Sequence, residues 1–239
     1  MNANSLNASS LNADSVDNAN NLAESGNRFS RERLGSSGLF VIGTDTEVGK
    51  TYVACQLAKS LVRGGTRVGV YKPVASGGEP GEPSDAELLR AAAGQNCELT
   101  HVCPQQFSAP LAPPIAAAME GREVDEAWLV TGADWWLGRC DLLIVEGAGG
   151  ALSPISASLT VLDLAGQFGY PLLLVVANRL GAVNHTLLTI EAAEKRNLRV
   201  EAIVLNTLPG IPSPASNREL IRAFAPKIEI IELASSPRA

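Results

Sequence analysis

The sequence predicts an α/β domain with a mostly parallel sheet covered by helices on both faces. Short apolar runs recur at 39–42, 68–71, 142–145, 172–176, 202–205 and 228–231, rich in leucine or β-branched residues and without regular polar alternation. Continuous apolar strands are buried on both faces, the mark of a parallel sheet. A helical pattern at 52–62 joins the first two runs by short connections, which makes a βαβ unit. Of the 239 residues 46% are apolar, enough for the core of one such domain.

Residues 1–37 lie outside this pattern. They are rich in Asn and Ser, repeat SLNA at 5–8 and 10–13, and hold few large apolar side chains. Such a stretch cannot bury enough surface to offset its ordering entropy, so a disordered tail is expected, with 38–239 as the single domain. A targeting peptide or an upstream start codon are the alternatives, although Asp14, Asp17 and Glu24 dilute the basic character of a transit peptide.

The first strand runs into GTDTEVGKT at 43–51, and the helix follows at once. A strand that turns through glycines into a helix aims several backbone N–H groups at one point with the helix dipole behind them, which suits a phosphate. Lys50 adds charge for the β- and γ-phosphates, and the Thr51 hydroxyl is placed to ligate Mg²⁺, so the domain is of P-loop type. A glycine-rich turn with an incidental lysine is the plainer alternative, but it does not account for the strand before and the helix after. Five residues rather than four separate Gly43 from Gly49, and the loop contains Asp45 and Glu47. Acids beside phosphate are costly unless they meet something cationic, such as an amine of a second substrate or a metal-bound water. The helix carries Ala54, Leu57, Ala58 and Leu61 on one face, Gly64 and Gly65 end it, and the second strand follows at 68–71.

Ligands of open parallel sheets bind at the carboxyl ends of the strands, so residues just past each strand should converge. These are Lys72, Pro73 and Ser76 after the second strand, and Glu146 with residues 147–150 after the run at 142–145. Asn178 and Arg179 follow the next run, and Asn206 and Thr207 the one after. A carboxylate ending a hydrophobic strand, as Glu146 does, can reach a metal on the phosphates. Gly147, Gly149 and Gly150 bare the backbone for an anion. In PSDAELL, Ser84 is the better helix cap, which frees Asp85 as a second acid; Thr51, Asp85 and Glu146 make a set suited to Mg²⁺. Lys72 stands on the stiff backbone before Pro73, and a second lysine near Lys50 implies a second anionic group near the γ-phosphate.

His185 is expected to begin a helix with apolar positions at Leu187, Leu188 and Ile190, in a structural rather than catalytic role, with Asn184 as its N-cap. Trp128, Trp135 and Trp136 are expected in the core or on helix surfaces. Net charge −6 argues against a nucleic-acid partner. Cys55, Cys97, Cys103 and Cys140 have neither CxxC spacing nor a metal-type cluster with His101 and His185, which predicts free thiols. With no apolar stretch of roughly 20 residues for a membrane span and no apolar signal core, a cytoplasmic location is expected.

The motifs GTDTEVGKT, YKPVASG at 71–77, SDAELL at 84–89, VEGAGG at 145–150 and RLGAVNHTLLT at 179–189 together resemble the dethiobiotin synthetase family, in the family's order, from about residue 39 to 206. The resemblance implies a homodimer of single-domain subunits that converts 7,8-diaminononanoate, CO₂ and MgATP into dethiobiotin, ADP and phosphate through a carbamate and a carbamic-phosphoric anhydride. It implies that Lys50 and Lys72 are catalytic. ATP would be bound by Thr46, Glu47, Val48, Gly49, Lys50, Thr51, Tyr52, Asp85, Glu146, Gly147, Ala148, Gly149, Asn206 and Thr207, with Asn206 on adenine. Ser76 and Gly150 would contact the diamine, and Leu180, Gly181 and Asn184 would reach across the dimer to it. Thr51, Asp85 and Glu146 would hold Mg²⁺, and Glu47 would face the cationic end of the diamine.

The chain departs from the family at its C-terminus, where KIEIIELASSPRA stands in place of a Gly-x-Ile/Leu-Pro turn, and at Pro113 and Pro114, where Pro-His is usual. A switch ATPase of the partitioning or septum-site kind shares the fold, but usually carries an early loop lysine where this chain has Thr44, Asp45 and Thr46. An amide-forming ligase of cobalamin synthesis normally adds a glutaminase domain. An inactive relative is the third alternative.

Overall fold

The computed structural model describes residues 29–78 and 81–234. In chain order the elements are α1 (Arg31–Leu34), β1 (Gly38–Gly43), α2 (Lys50–Arg63), β2 (Val68–Tyr71), β3 (Val74–Ser76), α3 (Asp85–Ala92), α4 (Leu99–Val102), β4 (Gln105–Phe107), α5 (Pro113–Met119) and α6 (Glu126–Thr131). A 3₁₀ turn (Gly132–Trp136) leads to β5 (Leu142–Glu146), then α7 (Val161–Phe168), β6 (Leu172–Ala177), α8 (Ala182–Glu194), β7 (Val200–Thr207), α9 (Ser216–Phe224) and β8 (Glu229–Ala234).

Six strands form one sheet in the order β2-β5-β1-β6-β7-β8, and every pairing in it is parallel. Strands β1, β2, β5 and β6 are buried at every residue, as their unalternating sequences require. Leu57, Ala58 and Leu61 of α2 are at most 2% exposed, and the helix turns out through Gly64 and Gly65. Helix α3 opens with a capping box in which the Ser84 hydroxyl accepts from Glu87 N and the Glu87 carboxylate accepts from Ser84 N. Asp85 is therefore left one residue inside the helix, free of the capping role. The four cysteines are free thiols, and burial pushes Cys55 and Cys103 up to about 12. Trp136 is core, Trp135 stacks on His101, and Trp128 is 43% exposed. Among the described residues no helix is long and apolar enough to cross a membrane.

Several expectations need correction. The folded chain begins before residue 38: Phe29 and Leu34 are 2% and 3% exposed in the core, and Arg199 donates to the Leu34 carbonyl. Two apolar residues sufficed to dock this segment at the start of β1, which the polar composition around them concealed; residues 1–28 lie outside the described residues. Helix α8 begins at Ala182, not His185, with Gly181 (φ +90°) rather than Asn184 at its cap, because glycine takes the left-handed turn there without strain. Its buried face is Ala182, Thr186, Thr189, Ile190 and Ala193, while His185 and Leu188 are exposed. The threonine hydroxyls donate to the carbonyls of Ala182 and His185, which satisfies them within the helix. Strands β3 and β4 form a second, two-stranded parallel sheet that the sequence did not announce. Pro113 and Pro114 open α5, where a missing N–H costs nothing.

Truncating a fully buried phenylalanine leaves a cavity, so Phe29→Ala should lower stability by about 3 kcal/mol. A urea unfolding midpoint unchanged by the substitution would show that the segment before β1 does not belong to the core.

Candidate active site

Strand register builds the site. Val41 of β1 lies opposite Glu146 of β5, and Tyr71 of β2 lies opposite Val145, so Lys72, the next residue, stands level with Glu146. The loop after β1 leaves the same edge two residues beyond Val41, and β6 flanks β1 on the other side. The carboxyl ends of these central strands therefore meet at one place.

Within the loop, Val48 is buried and Gly49 takes φ +88° to start α2. A Cβ at Gly49 would run into Nδ2 of Asn206, so only glycine allows this approach. That Asn206 amide donates to the Val48 carbonyl at 3.0 Å, with the side chain wholly buried and its Oδ1 without a partner among the described residues. Lys50, 7% exposed, donates to the Asp45 carbonyl at 3.0 Å. Burial lowers its pKa to about 8, against the pull of Glu146, Asp85 and Asp45 and with a push from Lys72. The Asp45 carboxylate accepts from Thr46 N at 2.7 Å and from Arg179 at 3.1 Å. Sequence reasoning asked for a cation beside an acid of this loop and named Arg179 among the strand-end residues, but it did not join them; two positions so far apart in the chain carry no local signal of contact.

Lys72 occupies the centre. Its ammonium is 2.5 Å from Asp85 Oδ2 and 2.9 Å from Glu146 Oε1, and the Thr51 hydroxyl donates to the same Oε1 at 2.8 Å. Lys72 is 5% exposed and Glu146 1%. Burial alone would discharge the lysine, but Glu146 and Asp85 outweigh it and hold the ammonium charged well above the ordinary lysine range. The second Glu146 oxygen, Oε2, is buried and has no partner among the described residues. Lys72 thus has two carboxylate partners inside the chain, which revises the expectation that its charge calls for a further anion.

Of the other expected residues, Gly147 donates its N–H back to Val41, and Gly150 N donates to Ser153. Ala148 and Gly149 are half-buried beside them, as is Tyr52 within α2 and Thr207 at the end of β7. Thr46 and Glu47 are exposed, and Glu47 adopts φ +55°, a left-handed conformation rare for a side chain of its size. Ser76, at the end of β3, donates to the Leu111 carbonyl. Leu180, Gly181 and Asn184 form an exposed corner where β6 passes into α8, beside Arg179. The corner is held by Asn217, which sequence reasoning missed: buried, it donates to Asn178 Oδ1 and to the Arg179 carbonyl. Among the described residues no group of three or more His, Cys, Asp or Glu is arranged to hold a metal by itself.

The family described as an AAA domain matches residues 37–233. The ATP-dependent dethiobiotin synthetase of Anaeromyxobacter dehalogenans (strain 2CP-1 / ATCC BAA-258) is 52% identical over 169 residues, 71% of this chain and 76% of that protein. The chain belongs to the dethiobiotin synthetase family. The protein of the same name from Caulobacter vibrioides (strain NA1000 / CB15N) is 40% identical over 84% of this chain and 92% of its own. A signal recognition particle receptor from Elizabethkingia anophelis superposes with a TM-score of 0.51 at 13% identity, over 92% of this chain and 65% of that one, and shares the fold alone.

As a dethiobiotin synthetase the chain is an ATP-dependent ligase of biotin biosynthesis. Burying the Lys50 ammonium costs the fold stability. Between pH 8 and about 10.5 the unfolded chain keeps a proton that Lys50 has lost in the fold, so this contribution raises stability as pH rises through that window. Below pH 8 both states are protonated and the full penalty, about 3 kcal/mol, applies. Lys50→Met should then raise the nucleotide-free melting temperature at pH 7, with the gain shrinking toward pH 10. A variant melting below the parent at pH 7, by calorimetry, would contradict this.

Proposed function

We propose that the chain closes the ureido ring of dethiobiotin at the edge formed by β1, β2 and β5, from 7,8-diaminononanoate, CO₂ and ATP. The observation that carries this reading is the buried Lys72, charged and set between Asp85 and Glu146 beside the Thr51 end of the phosphate loop. In this scheme one amine of the diamine adds to CO₂ to give a carbamate, whose oxygen attacks the γ-phosphorus as ADP departs. The second amine then attacks the carbonyl of the mixed anhydride, and phosphate leaves as the ring closes.

The backbone from Thr46 to Thr51 and the Lys50 ammonium bind the phosphates, with Tyr52, residues 147–149, Asn206 and Thr207 lining the nucleotide. Lys72, held protonated, acts on the carbamate and the transferring phosphoryl group by charge rather than as a base. Two carboxylates and a hydroxyl are hard oxygen donors, and Glu146 Oε2 has no partner among the described residues, so Thr51, Asp85 and Glu146 fit Mg²⁺. Bound there, the ion would neutralise charge on the β- and γ-phosphates. Glu47 and Ser76 serve the diamine, together with Gly150. The exposed corner at Leu180, 91% exposed, Gly181 and Asn184 supports a homodimer in which it reaches the partner's diamine. Four free thiols agree with a reducing cytoplasm as the working compartment.

The test is formation of ADP and dethiobiotin by the purified chain with MgATP and bicarbonate, with and without 7,8-diaminononanoate. Product is expected only with the diamine; ATP hydrolysis indifferent to it would point to a switch ATPase instead. Leu180→Asp should convert dimer to monomer in sedimentation equilibrium and reduce ligase turnover at least about tenfold while leaving ATP affinity unchanged. A fully active monomer would remove the corner from the site.

A further inference from the structure

We propose that the Lys72 ammonium is a resident counter-ion that keeps divalent metal out of the site until nucleotide arrives. The inference rests on the reading of Thr51, Asp85 and Glu146 as the metal ligands. Both carboxylates of that set are already bonded to Lys72, at 2.5 Å and 2.9 Å, and the hydroxyl is bonded to the same Glu146 oxygen. The position that bridges Asp85 and Glu146 is thus filled by a cation belonging to the chain.

A divalent ion held by those carboxylates would lie within a few ångströms of the ammonium, beside the buried Glu146 and the partly exposed Asp85, and like charges so close repel. Lys72 and the metal therefore cannot hold both carboxylates together. Without nucleotide the lysine has two advantages. It is tethered at the end of β2 by Tyr71 and Pro73, so its local concentration at the carboxylates far exceeds that of a free ion. Mg²⁺ in contrast gives up its waters reluctantly, and Glu146 is only 1% exposed.

A triphosphate changes the balance. Its oxygens would offer Lys72 new anionic partners and the metal additional ligands, so that the lysine could turn toward the phosphates and leave Glu146 and Asp85 to hold the ion. Glu146 Oε2, buried beside the lysine and without a partner among the described residues, is the oxygen left available to receive the ion. Metal and nucleotide would then enter together, and the lysine would reach the reacting group only when both are bound.

The experiment measures Mn²⁺ binding to the full chain by electron paramagnetic resonance of the free ion, without nucleotide and with a nonhydrolysable ATP analogue. In the absence of nucleotide Lys72→Met should bind Mn²⁺ at least about tenfold more tightly than the parent. Adding Glu146→Gln should abolish that gain, and the analogue should narrow the gap. Equal nucleotide-free affinities of parent and Lys72→Met would overturn the competition. If Glu146→Gln left Mn²⁺ binding in the analogue complex unchanged, the metal set itself would fall, and the proposal with it. Should Lys72→Met not fold, the parent decides: Mn²⁺ bound without nucleotide as tightly as with the analogue overturns the proposal, and uptake only with the analogue supports it.

Discussion

The ammonium of Lys72 has almost no access to water, and the carboxyl edge of the sheet is arranged so that it can nevertheless stay charged. Leaving such a charge alone in the interior costs several kcal/mol, and it is tolerable only with partners in hydrogen-bonding reach. Parallel register between β2 and β5 puts Glu146 beside it. The Ser84–Glu87 capping box satisfies the start of α3, so Asp85 is available to it. Thr51, the second residue of α2, completes the shell around the same glutamate oxygen. One constraint thus couples three elements that approach from different parts of the chain.

The loop is organised around a second hub. The Asp45 carbonyl holds Lys50, while its carboxylate ties the loop to Arg179, whose own carbonyl is held by Asn217. Asn206 supports the loop from behind through the Val48 carbonyl. The phosphate loop is therefore braced from β7 and from the corner before α8, and that corner is the one proposed to meet the second subunit. An acid that looks misplaced beside phosphate is part of this brace.

Much of the architecture was legible because buried parallel strands read as unbroken apolar runs; the central strands lie within a residue or two of where those runs predict them. That Thr51, Lys72, Asp85 and Glu146 come together was legible for a related reason, since strand ends in such a sheet converge. What escaped was decided by contacts without local pattern. Phe29 and Leu34 are too few to mark a core segment in a polar stretch. Helix α8 buries threonines where leucines were expected, because hydroxyls that bond within the helix pack as small apolar groups do. The Asp45–Arg179 pair and Asn217 are long-range polar contacts that neither period nor spacing can reveal.

The strand order also dictates when the protein can be assembled. β1, which carries the phosphate loop, has no sheet neighbour close to it in the chain: it is flanked by β5 and β6, made much later during synthesis. Closing such long connections must precede the contacts that reward them, and parallel pairings of this kind form slowly. On the ribosome the nascent chain therefore exposes the apolar segment 38–43 for most of the time its own domain is being translated. The sheet edge at which β1 ends is therefore among the last parts of the domain to take shape.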